Sequence, residues 1–175
     1  MPFGKKKHED ENKDKDKDPA AMSRQLRESA LRVTAADLNL AASGARPHVW
    51  GVLMELAYPE AVASLVAFAD GSTSLYISSG GGVIGAGEHK PVRDEAEKFL
   101  MTVQEHIAEF ASTDETPLPN PGRVRFYVRT FASTLTAEAD EKLLGNRLHK
   151  LSPVYLAGHA VITQMRLISE RRDEA

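Results

Sequence analysis

Cysteine is absent from the 175 residues. That removes disulfide frameworks, thiolate metal sites and cysteine nucleophiles together. It fits a reducing compartment, so a cytoplasmic location is expected. No apolar run approaches the ~18 residues of a membrane-spanning helix. The start, Met1-Pro2-Phe3-Gly4-Lys5, has no apolar core of a secretory signal, and Pro2 stands where N-myristoylation needs glycine. A basic excess is also missing. Lysine and arginine number 22 against 25 acids, a net charge of -3, which argues against a dedicated nucleic-acid binder. The nucleophile-elbow pattern G-x-S-x-G, the Walker A loop and the zinc helix H-E-x-x-H do not occur. The acids from Glu138 to Glu141 lack the calcium-loop spacing. No cofactor and no metal are therefore expected.

What is present suits one domain, long enough to bury a core without staples. Lys5 to Asp18 holds six lysines and six acids and no apolar residue. Such a segment cannot offset its ordering entropy, so residues 1–20 read as a charged, disordered tail. Ser23 to Ser43 has helical spacing, with Leu26, Ala30, Val33 and Leu40 on one stripe. Thr34-Ala-Ala-Asp37 resembles a capping box that starts a second helix.

Three strands follow. Val49 to Tyr58 is apolar on both faces, with Trp50, Val52, Met54 and Leu56 on one and Glu55 as its only charge. That is the pattern of a central strand covered on both sides. Val62 to Ala69 repeats it. Asp70-Gly71 predicts a type I′ hairpin with positive φ at both residues, and Ser72 to Ser78 alternates. A helix is predicted from Pro91 to about Phe110, with Val92, Ala96, Phe99 and Val103 inward. Arg123 to Phe131 is a further strand. Residues 132–146 read either as a short helix closed by Gly145-Asn146 or as an edge strand near Leu135. Ser152-Pro153 opens a last helix to about Ile168.

The expectation is an α+β domain over residues 21–168, followed by a frayed charged end at 169–175. Its antiparallel sheet has four to five strands: a three-stranded meander, a helix, then a further strand. N-terminal, central and C-terminal helices pack on it. The order is similar in topology to profilin-like domains such as roadblock and longin modules. The run from Trp50 to Arg166, above all Ser78-Ser-Gly-Gly-Gly-Val-Ile-Gly85, resembles small bacterial proteins to which no activity is attached. The resemblance implies a compact bacterial domain and no chemistry.

Two groups of residues are candidates for a site. Gly80, Gly81, Gly82 and Gly85 satisfy G-x-G-x-x-G, and with Gly87, Glu88 and His89 they form a candidate ligand loop. In a dinucleotide fold the helix starts within the glycines; here Pro91 delays it by six residues, which favours a bulged connection. The second group is Arg123, Arg125, Tyr127 and Arg129, spaced about 7 Å apart along one strand face. Such a row suits an acidic partner; alternatively the arginines pair with Glu55 or helix acids on an ordinary sheet face. Without a convergent catalytic set, the sequence points to a non-enzymatic protein–protein interaction or scaffold domain. Self-association as a homodimer is expected, because the apolar faces of Val49 to Tyr58 and Val62 to Ala69 need covering on both sides. The alternative is a small-molecule or phosphate-binding domain using residues 80–87.

Overall fold

The computed structural model describes residues 18–44 and 49–174. The charged stretch 1–17, and Pro47 as a helix stop, lie outside the described residues. Helix α1 spans Pro19–Arg32, β1 Val49–Ala57, β2 Val62–Phe68, β3 Thr73–Ile77 and β4 Gly82–Val83. After a 3-10 turn at Ala86–Glu88 come α2 (Lys90–Glu105), β5 (Ala111–Ser112), β6 (Arg123–Thr130), β7 (Thr134–Asp140), α3 (Glu141–Gly145) and α4 (Ser152–Asp173).

The fold is α+β with one antiparallel sheet, in the order β4-β3-β2-β1-β6-β7-β5. It has seven strands, not the expected four to five. The extra two are the two-residue pieces β4 and β5, too short to leave an alternating pattern. Both readings of residues 132–146 are realised in succession: strand β7 ends at Asp140, whose carboxylate accepts from Lys142 N and Leu143 N and starts α3.

Other boundaries shift for local reasons. Helix α1 begins at Pro19, inside the expected tail, because the Asp18 carboxylate caps it through Ala20 N. The capping-box bonds at Thr34 and Asp37 form, with Thr34 Oγ1 donating to Asp37 at 2.8 Å. They close a single turn rather than a helix, and Asn39 at φ 56° ends it. At Asp70-Gly71 only Gly71 has positive φ. Gly71 N donates to Phe68 O and Phe68 N to Ser72 O, so the hairpin has a longer loop than type I′. Helix α4 continues through Asp173 instead of fraying after Ile168.

Strand β1 is the centre of the sheet, and both its faces are buried by the chain's own elements. Val52, Met54 and Leu56 meet Phe99 of α2 and Val154 and Val161 of α4 in one cluster of 21 buried residues. Leu53, Val66, Phe68, Tyr127 and Trp50 form a separate cluster of six with Ala30 of α1. Trp50 does not share a face with Val52. The register against β6 shifts between Val49 and Gly51, and one extra residue turns the side chain to the opposite face. Since helices cover both faces, β1 and β2 need no second chain to bury them.

Candidate functional site

The glycine segment folds as a hairpin and not as a phosphate cradle. Gly80 N donates to Ile77 O, and Ile77 N donates to Gly81 O. A Cβ on Gly82 would lie 2.1 Å from Leu75 O, and one on Gly87 1.8 Å from Gly71 O. Backbone packing therefore requires both glycines. Gly85 is left-handed at φ 68° and opens the 3-10 turn. Glu88 and His89 lie beyond it, at the base of α2. Arg172 of α4 reaches both, at 3.3 Å from Glu88 Oε1 and 3.0 Å from His89 Nε2. Among the described residues no hydroxyl side chain is hydrogen-bonded to the Glu88 or His89 side chain.

Tyr127 and Arg129 of the arginine row lie under α1, while Arg123 stays partly exposed. Tyr127 is fully buried, and its hydroxyl donates to Pro117 O. Burial raises its pKa. Arg123 and Arg125 both pair with Glu138 of β7. Arg129 donates to Leu31 O and Val33 O at the end of α1, and its guanidinium lies 4.9 Å from the Trp50 ring centroid. Glu55 also lies on this face, fully buried. Its partner is Arg27 of α1, with Nε 2.6 Å from Oε1 and Nη2 2.9 Å from Oε2. Ser64 Oγ donates to Glu55 as well, and Arg27 reaches Thr116 O.

A groove of about 370 Å³ lies between α1 and the β3–β4 hairpin. Pro19, Met22 and Leu26 come from one stripe of α1. Leu75, Tyr76 and Ile77 come from β3, and Gly80 to Gly82 with Ile84 close the far wall. So three of the predicted glycines line the groove, while Gly85, Gly87, Glu88 and His89 do not. Met22 and Ile84 are large apolar side chains left 53% and 69% exposed. Among the described residues Asp18 is the one charged residue lining it. Sequence reading passed over Met22, Leu26 and Ile84, since a helix stripe and a loop isoleucine give no sign that they meet.

A second cluster also escaped the sequence. Tyr58 and Tyr155 hydroxyls both donate to Glu141 Oε1, at 3.4 and 3.2 Å. His159 packs against the Tyr155 ring, and its Nε2 is buried without a partner. Burial lowers the His159 pKa, with Glu141 opposing; burial and then Glu141 raise those of Tyr155 and Tyr58. Among the described residues no group of three or more His, Asp or Glu is placed to hold a metal. No helix among them is long and apolar enough to cross a membrane. No protein-family model matches the chain, and neither a curated protein nor a solved structure is similar to it.

Proposed function

We propose that this chain is a non-enzymatic protein-interaction domain, and that apolar side chains of a partner protein seat in the groove between α1 and the β3–β4 hairpin. The observation that carries this reading is the groove's lining. It is mainly apolar, is flanked by exposed Met22 and Ile84, and among the described residues includes no cation. Burying apolar surface contributes about 25 cal/mol per Å², and exposed apolar side chains gathered at one concavity are the usual mark of a contact site. A cytoplasmic, bacterial setting is in keeping with the cysteine-free composition and the resemblance to bacterial proteins.

The alternative, a small-molecule or phosphate site on residues 80–87, shares the glycine wall of this groove. A phosphate there would face Asp18 with no guanidinium or ammonium among the lining residues, which is unfavourable for a dianion. Self-association remains part of the reading, but not through β1 and β2, whose faces the helices cover. It rests on α1, as argued below.

Affinity capture from the native host, comparing the parent chain with Met22→Ser/Ile84→Ser, tests the proposal. At least one protein held by the parent should be lost from the double variant while its melting temperature stays unchanged. A capture profile identical in both would sink the groove as the contact site.

A further inference from the structure

We infer that α1 and the turn after it form a releasable strap, and that the sheet face beneath is a docking surface for the same strap from a second copy of this chain. The strap is residues 19–40. Within α1 only Ala30 is buried, and Leu31, Val33, Leu38 and Leu40 are half-buried against the sheet. The apolar core divides into two clusters, one per face, and the strap contributes only to the smaller. Its departure leaves the 21-residue cluster under α2 and α4 untouched. Elements with few buried apolar contacts open at lower free energy than the core they rest on.

The strap is held by directional polar anchors in its middle, within α1, and at the end of α1. Arg27 grips the fully buried Glu55, and Arg129 holds the last carbonyls of α1. A buried carboxylate without its cation is costly, so the bare face is selective: it requires a helix with a guanidinium at the Glu55 position. The chain itself is a partner certain to carry that pattern. Low concentration favours the strap on its own sheet and high concentration the strap of a neighbouring copy, as in domain exchange. The strap also supplies Pro19, Met22 and Leu26 to the groove, but Arg27 does not line it, so variants at Arg27 test this inference without changing the groove's lining.

Hydrogen–deuterium exchange on the full chain tests the release. Amides of residues 19–40 should exchange about 100-fold faster than those of β1 and β6. Arg27→Ala should speed exchange of residues 19–40, and β1 and β6 should still exchange far more slowly than the strap. Equal rates for strap and sheet in the parent chain overturn the inference, whether or not R27A folds. The docking surface is tested by adding a peptide of residues 18–41 to full-length R27A in the presence of anilinonaphthalene sulfonate, with Arg129→Gln as a second open variant. The peptide should return the probe's fluorescence to the parent level, and the same peptide carrying R27A should not. Fluorescence unmoved by the parent peptide, or moved equally by both peptides, overturns docking in trans.

Discussion

One guanidinium binds both oxygens of the Glu55 carboxylate: Arg27 Nε at 2.6 Å and Nη2 at 2.9 Å, joining the N-terminal helix to the central strand. Breaking such a pair leaves an uncompensated charge, whereas replacing both partners with apolar groups is often neutral. Arg27→Met should therefore destabilise the chain more than Arg27→Met/Glu55→Leu does. The coupling should be on the order of 1–3 kcal/mol, read from urea midpoints of both single variants and the double.

The arginines of β6 should separate by environment. Arg129 bonds two carbonyls at the end of α1, and hydrogen bonds to a charged group contribute about 1.5–3 kcal/mol. The Arg123 side chain is 40% exposed, where an ion pair contributes about 0–1 kcal/mol. Arg129→Ser should lower the melting temperature clearly, and Arg123→Ser should barely move it. The reverse order would show that the α1 contact is not what holds Arg129.

Glycines 87, 158 and 81 rank by what a methyl group would meet. At Gly87 it strikes backbone, Gly71 O at 1.8 Å, so Gly87→Ala should cost more than the about 1–3 kcal/mol of ordinary overpacking. At Gly158 it meets the far end of Met54, Cε at 2.5 Å, which can rotate away, and the cost should fall within that range. Gly81 has open space but φ 84°, so alanine there carries only backbone strain, roughly 1–2 kcal/mol. Chemical denaturation of the three variants checks the order.

Burial holds the His159 imidazole below its ordinary pKa, so the unfolded chain binds its proton more readily than the folded one. Between the lowered value and about 6.5, stability therefore rises with pH and is lost on acidification. His159→Phe should flatten that part of the profile. Melting temperatures from pH 7 down to pH 5 on parent and variant measure it; parallel curves would remove His159 as the cause.

Nucleotides offer a last discrimination. A ligand at a hundred times its dissociation constant adds about 2.7 kcal/mol to stability. ATP, GTP and NAD should each leave the melting temperature unchanged, because Gly80 to Gly82 wall a mainly apolar groove that, among the described residues, no cation lines. A clear shift with any of them would favour the ligand reading of residues 80–87.

Period-two and period-3.6 patterns alone located the long strands and helices. β1, β2, β3, β6, α2 and α4 fall where the alternation of apolar residues puts them, because burial of one face dictates spacing within each element. The same logic marked β1 as a central strand, since a run apolar on both faces has nowhere else to go. Elements of two residues, β4 and β5, carry no period and were invisible.

What the tertiary structure decided is which residues meet. Glu55 reads as an odd charge in an apolar strand, and nothing local says that Arg27, 28 positions earlier, neutralises it. The row from Arg123 to Arg129 reads as a solvent face because α1 has no sequence signal for the side it covers. Trp50 changes face because a bulge in pairing with β6 is a property of two strands and not of one. The groove exists only where Met22 of α1 and Ile84 after β4 converge, and that distance is set by the sheet between them.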